Sequence, residues 1–199
     1  MHYKSLKKAK SSITTFCIAI IIITAISAQA DDKKWATTIY GAVQADNDFD
    51  GMFFKPQFDG NYKLIVVALS RKIGSLTEHL QFELEGQAGK HFGDQSHMEF
   101  NGLIIARWLT FPWNKHLKTS FAVGEGLSLA TEIPKFEALQ HEKTNQLLDY
   151  LLVETALSLP QTPQWSLVWR IHHRSGVYGL FNGVYGASNA MGVGLRYSF

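Results

Sequence analysis

His173 and Ser175 are the two residues of this chain whose types and spacing suit covalent chemistry. They lie two positions apart in the segment Trp165–Ser175, which reads WSLVWRIHHRS. An imidazole can remove the proton from a neighbouring hydroxyl, which then attacks a carbonyl carbon. The pair therefore predicts a serine nucleophile with a histidine base, and acyl transfer to water as the reaction.

The element that carries this pair has the alternation of a β-strand. Successive side chains of a strand point to opposite faces. One face is apolar and ends in the pair: Trp165, Leu167, Trp169, Ile171, His173 and Ser175. The other is mainly polar and cationic: Ser166, Val168, Arg170, His172 and Arg174. The apolar face would be the core of a water-soluble barrel or sandwich, whereas in a membrane barrel it would meet lipid.

The first thirty residues are expected to be a secretory signal peptide. Four lysines within the first ten residues precede the apolar stretch Ile13–Ile26, and Ala28–Ala30 forms an A-x-A cleavage site. The apolar stretch is too short for a spanning helix, and these three regions together are typical of a signal peptide. The predicted domains are therefore 1–30, a signal peptide, and 31–199, the mature fold.

The predicted mature chain has properties that exclude several classes of protein. Removing four lysines and no acid from a chain of formal charge +2 leaves a charge of −2, which gives no indication of nucleic-acid binding. Cys17 is the chain's one cysteine and lies in the signal, so no disulfide is expected. No later apolar run is long enough for a membrane helix, so a membrane location would require a closed barrel.

The mature chain reads as eight strands. Their predicted bounds are Trp35–Ala45, Asn61–Lys72, His79–Ala88, His97–Trp108, Leu117–Ala130, Gln146–Leu159, Trp165–Ser175 and Ala187–Phe199. Long and short connections are expected to alternate, with a short turn at Arg71–Ser75 and a long loop at Thr131–Asn145 that has room for a helical turn. This pattern predicts an all-β fold, an eight-stranded antiparallel outer-membrane β-barrel. A soluble barrel of the lipocalin type has the same strand count.

The last strand adds a third candidate residue. Its apolar stripe runs from Met191 to Phe199, and a terminal Phe resembles the assembly signal of outer-membrane barrels. Asn189 falls on the same face of this strand as the apolar stripe. It is expected near His173 because neighbouring strands run antiparallel. Asn189 would hold the second imidazole nitrogen, completing a site on the lipid-facing wall. In the alternative interpretation these polar groups lie in the headgroup zone, where they cost little, and have no catalytic role.

The last two predicted strands of the chain resemble those of a known family. The runs Arg170–Gly176 (RIHHRSG) and Gly186–Asn189 (GASN) and the terminal GLRYSF are similar to the PagL-type lipid A 3-O-deacylases, also called the acyloxyacyl hydrolase family. The resemblance is strong over the last two strands and loose upstream. It implies an outer-membrane barrel that removes the ester-linked 3-hydroxyacyl chain at position 3 of lipid A, without metal or cofactor. It also implies His173 as base, Ser175 as nucleophile, and lipid A or lipopolysaccharide as partner; a homodimer is left open.

The chain departs from the family at the acidic residue. The family carries a glutamate near the start of the last strand, but no Asp or Glu follows Glu154 here, and Asn189 is nearest to that position. In a serine triad, an amide in place of the acid lowers the rate by about four orders of magnitude. Asp149 is a candidate substitute acid. Two alternatives are a non-catalytic barrel with an envelope-integrity or surface-interaction role, and an acyltransferase of the outer leaflet.

Further polar residues are interpreted as structural. Glu154 and Arg170 are expected to form an ion pair in the lumen, joined by Glu83, Glu85, Arg174 and Arg196. The segment Asp46–Gly51 copies half of a calcium loop, but Gln57 replaces its last ligand, which favours a solvated outer loop. The spacing of the mature histidines predicts no metal site.

Overall fold

The computed structural model describes residues 34–199, and its strands close into one antiparallel barrel in the order β1 to β8. The strands are β1 (Trp35–Ala45), β2 (Phe58–Ser75), β3 (Leu80–Gly93), β4 (Met98–Trp108), β5 (Lys118–Ala130), β6 (Leu147–Ser158), β7 (Trp165–Ser175) and β8 (Ala187–Ser198). Two short helices are α1 (Gly51–Phe54) and α2 (Lys135–Gln140). The predicted eight-stranded all-β barrel is confirmed. The predicted signal peptide, 1–30, lies outside the described residues.

The connections differ from the prediction in two places. The expected turn at Arg71–Ser75 is wrong, because β2 continues to Ser75 and an irregularity between Lys72 and Gly74 accommodates the extra residue. The expected long loop before β4 is also wrong, because β3 continues to Gly93 and leaves only 94–97. The alternation of long and short connections is therefore incomplete, since the connection 109–117 is longer than that loop.

The two ends of the barrel are named here by their connections. The loop end carries 46–57, 94–97, 131–146 and 176–186, together with both helices; the turn end carries 76–79, 109–117 and 159–164. No helix of the described residues is long and apolar enough to cross a membrane.

The outer wall of the barrel is apolar and exposed. Every strand contributes to it large side chains that are more than a third exposed: Ile39, Ile65, Leu69, Leu84, Ile104, Val123, Leu127, Leu147, Leu167, Val193 and Leu195. A continuous apolar belt of this kind is rare on a water-soluble monomer, and it matches the outward-facing band of membrane barrels.

The lumen is filled by ion pairs from the middle of the barrel to the turn end. The network consists of Glu83, Glu85, Arg107, Glu154, Arg170 and Arg196. The predicted pair is confirmed: Arg170 Nε donates to Glu154 Oε2 at 2.6 Å, and Arg107 Nη1 donates to Glu154 Oε1 at 2.6 Å. All of these side chains are buried, so each charge depends on its partners for stabilisation.

The connection 46–57 folds back onto the outer wall instead of standing free in solvent. Asp50 caps α1, its Oδ1 accepting from the Gly51 N–H at 2.9 Å. Met52 of that helix is 1 % exposed and packs against Val153 and Ile171 on β6 and β7. The interpretation of this segment as a solvated loop is therefore wrong in part, because Phe49 and Met52 cover the wall close to His173.

Candidate functional site

Strand β7 presents His173 and Ser175 on the outer wall. It pairs with β6 and with β8 without a shift in register, so its side chains alternate without interruption. Arg170, His172 and Arg174 are buried in the lumen, whereas His173 and Ser175 point the other way and are half-buried. The imidazole and the hydroxyl therefore share the outward face at the loop end of the barrel.

Asn189 of β8 lies directly opposite His173 and determines which ring nitrogen of His173 carries the proton. His173 Nδ1 is 2.6 Å from Asn189 Oδ1, while Asn189 Nδ2 donates to the Asn47 carbonyl at 2.8 Å. Since the second bond requires the amide nitrogen to face Asn47, the amide oxygen faces the imidazole. The hydrogen-bond network thus assigns the ring proton to Nδ1, which donates, and leaves the lone pair on Nε2. Nε2 is the nitrogen that a general base uses.

Ser175 shares a cavity with these two residues but is not bonded to them. His173, Ser175 and Asn189 all line a cavity of about 510 Å³ on the outer wall. Within residues 34–199, Ser175 Oγ makes no hydrogen bond to His173. Bonds between nucleophile and base are often long in empty sites and tighten when substrate binds. The catalytic roles of the three residues stay predictions.

The loop-end connections build the other walls of this cavity. Phe49 packs its ring edge-on against the His173 ring, with the centroids 4.8 Å apart. His141 approaches from the 131–146 loop, and Tyr178 and Tyr185 contribute two highly exposed aromatic rings from the 176–186 loop. The cavity therefore joins an apolar wall to polar groups at its loop end.

The backbone just after Ser175 is strained. Val177 and Tyr178 have φ values of 47° and 52°, a conformation that is costly for bulky side chains and concentrates at functional sites. Their N–H groups have no acceptor within the described residues. These two amides are candidate donors to an oxyanion, whereas the Gly176 N–H is already bonded to the Gly186 carbonyl at 3.1 Å.

Gly176 is required by packing. A Cβ at this position would lie 1.9 Å from the carbonyl oxygen of Val184, so no side chain fits. The sequence alone offered no reason for a glycine immediately after the candidate nucleophile.

Two acidic residues extend the polar patch on the outer wall. Asp149 lies directly opposite Ser175 on β6, and the Glu125 carboxyl on β5 lies beside that of Asp149. Asp149 makes no hydrogen bond to His173 in the described structure, and Asn189 holds Nδ1 instead. Sequence reasoning missed Glu125; the signal was an acidic residue at an outward position of an otherwise apolar wall.

Comparison with known proteins gives the fold alone. No protein-family model and no curated protein sequence matches the chain. The chain is similar to the structure of the outer membrane enzyme PagL, at 10% identity and a TM-score of 0.51, covering 83% of this chain and 99% of that one. It is also similar to Neisserial surface protein A, at 12% identity and a TM-score of 0.50, covering 86% of this chain and 100% of that one. An enzyme and a surface protein thus share this barrel architecture.

Proposed function

We propose that the chain spans the outer membrane and hydrolyses an ester-linked 3-hydroxyacyl chain of lipid A in the cavity on its outer wall. The observation that carries this proposal is the bond from His173 Nδ1 to Asn189, which leaves Nε2 as a base in the cavity that Ser175 lines. The exposed apolar belt and the likeness to outer-membrane barrels support the location.

The proposed reaction has two halves. In the first, Ser175 Oγ attacks the ester carbonyl, and His173 Nε2 takes the hydroxyl proton. The tetrahedral oxyanion accepts hydrogen bonds from the N–H groups of Val177 and Tyr178. Its collapse breaks the bond to the sugar oxygen, which leaves with the proton from the imidazolium, and an acyl-serine forms. In the second half, water, activated by His173, releases the fatty acid and restores Ser175.

The position of the cavity favours an amphiphilic substrate. Acyl chains would lie along the apolar wall, and the sugar headgroup would meet the polar residues of the loop end. The cavity opens at the side of the barrel, so a lipid of the surrounding leaflet would enter it by lateral diffusion. The charged lumen offers no comparable apolar path.

Expression of the wild-type chain in a Gram-negative host is expected to remove one 3-hydroxyacyl chain from its lipid A. Mass spectrometry of extracted lipid A would show the corresponding loss of mass. Ser175→Ala, which keeps the backbone and the Asn189 bond, should leave the lipid A profile unchanged. If folded wild-type barrel also leaves the lipid A profile unchanged, the proposed activity on this substrate is wrong.

Replacing Asn189 by Asp is expected to raise the deacylation rate at least about tenfold. In a serine triad, exchange of the acid for its amide lowers the rate by about 10⁴, largely because the amide enforces the wrong histidine tautomer. Loss of the 2.8 Å bond to the Asn47 carbonyl, about 1–3 kcal/mol, is common to the ground and transition states and therefore lowers stability more than rate. Because Asn189 already holds the correct tautomer, the expected gain is the smaller part that comes from a carboxylate stabilising the imidazolium. Initial rates of lipid A deacylation measure it, and a lower rate in Asn189→Asp would contradict this role for Asn189.

A second candidate is a non-catalytic barrel with a role in envelope integrity or surface contact. The observation that favours it is that Ser175 Oγ makes no hydrogen bond to His173 within the described residues, while the Phe49 ring packs against the imidazole. Wild-type and Ser175→Ala strains would then have the same lipid A and the same envelope permeability. A deletion strain would differ from both in envelope permeability. An acyltransferase, the third interpretation, would add a chain to lipid A and increase its mass.

A further inference from the structure

A cluster of potential metal ligands lies inside the barrel at the loop end, separate from the cavity on the outer wall. His91 comes from the end of β3, His97 from the 94–97 loop, and Glu99 from the start of β4. One ligand atom from each of the three lies within 4.8 Å of the others. The side chains are almost fully buried, with exposures of 1 %, 3 % and 0 %.

His97 contributes a buried nitrogen that has no partner. Its Nε2 makes no hydrogen bond in the described part of the chain, although its ring stacks on that of His91 with the centroids 4.1 Å apart. The other lumen histidine, His172, contacts Glu99 at 2.7 Å and Tyr40 at 2.9 Å. A buried polar atom without a partner costs about 1–3 kcal/mol, so its retention points to a ligand.

The charges around the cluster favour a cation. In the network towards the turn end, three arginines face three glutamates and formal charge balances. At the loop end, Glu99 and Glu137 face Arg174, which donates to the Glu137 carboxylate. Among these three buried side chains the carboxylates outnumber the guanidinium groups by one.

We propose that His91, His97 and Glu99 bind one Zn²⁺ ion. Two imidazoles and one carboxylate are a donor set that zinc uses with a fourth position open to water. The ion would give the unpartnered nitrogen of His97 a partner, and its charge would compensate the excess negative charge of the carboxylates. It would join β3, β4 and the loop between them at the mouth of the lumen. This proposal does not depend on the esterase proposed above.

Gln95 contacts the ring nitrogen of His91 that would face away from the ion. Its Oε1 accepts from the Phe136 N–H at 3.2 Å, so its Nε2 faces His91 Nδ1 at 2.9 Å. In the metal-free protein the His91 proton therefore lies on Nε2, which donates to Glu99 Oε2 at 3.1 Å. Binding zinc through Nε2 moves that proton to Nδ1, where it needs an acceptor. A glutamate at position 95 would accept from both His91 and Phe136, and carboxylates of this kind strengthen zinc binding.

Zinc binding is tested on the refolded full-length barrel in detergent, with Zn²⁺ as the probe. Isothermal titration calorimetry and elemental analysis after dialysis should give one zinc per chain. His97→Leu removes a ligand but no existing hydrogen bond, so the barrel should fold and bind zinc at least about tenfold more weakly. Gln95→Glu should bind at least about tenfold more tightly. His116→Gln, a change of an exposed histidine in the 109–117 connection, is the matched control and should bind like the wild type.

Two results would overturn the zinc site. One is a folded wild-type barrel that retains no more zinc than the His97→Leu barrel. The other is equal affinity in the wild type, His97→Leu and Gln95→Glu, which would assign any bound zinc to other residues.

Discussion

Replacing His173 by Gln is expected to lower the rate of lipid A deacylation by about 10³-fold, because glutamine cannot accept the proton of the Ser175 hydroxyl. The side chain is half-buried on the outer wall, and among residues 34–199 its hydrogen-bond partner is Asn189. Folding should therefore be nearly unaffected. Single-turnover rates on lipid A in detergent micelles, normalised to folded barrel, measure the chemical step.

The neighbouring histidine provides a matched control for this experiment. His172 is adjacent in sequence but points into the lumen, where its Nε2 lies 2.7 Å from Glu99 and its Nδ1 lies 3.0 Å from the Tyr150 hydroxyl. His172→Gln should destabilise the barrel yet keep the rate per folded molecule within about twofold of the wild type. Equal losses of rate in the two variants would contradict the assignment of the base to the outer wall.

Replacing Glu154 by Gln is expected to lower the free energy of unfolding by about 3–5 kcal/mol. This carboxylate accepts from both Arg107 and Arg170 at 2.6 Å, and all three side chains are buried. The neutral amide removes the negative charge that compensates two buried guanidinium groups. Urea unfolding in lipid vesicles, followed by tryptophan fluorescence, gives the change.

An exposed glutamate provides the control for the ion network. Glu142 lies in the 131–146 loop, outside the barrel wall, and Glu142→Gln should change the free energy of unfolding by no more than about 0.5 kcal/mol. A loss of less than about 1 kcal/mol in Glu154→Gln would mean that the lumen pairs contribute little to stability.

The strand pattern could be predicted because the alternation of side chains is local. In β7 the register is regular on both sides, so the parity that separates His173 from His172 could be read directly from WSLVWRIHHRS. The extension of β2 through Gly74 could not, because a glycine indicates a turn and a bulge equally well. The ion pair of Glu154 with Arg170 also followed from the alternation, since a narrow lumen brings together the inward side chains of all strands, whereas the pair of Glu154 with Arg107 was not predicted.

The surroundings of the candidate site depend on contacts between distant segments, which periodicity does not encode. Asn189 is bonded to the carbonyl of Asn47, 142 residues away, and that contact fixes the orientation of its amide. The close approach of Gly176 to Val184 and the packing of Phe49 on His173 depend on how two loops fold back. The spacing of His91 and His97 likewise gave no indication of the proposed zinc site, because the hairpin between β3 and β4 brings the three residues together.

Covalent labelling by a long-chain alkyl fluorophosphonate tests whether Ser175 is an activated nucleophile, because the reagent mimics the acyl ester and reacts with an activated serine. The folded barrel in detergent would be treated with the probe, digested and analysed by peptide mass spectrometry. One adduct is expected, on Ser175, which is absent in Ser175→Ala and strongly reduced in His173→Gln. A folded barrel that gives no adduct on Ser175, or the same adduct yield with and without His173, would contradict this expectation.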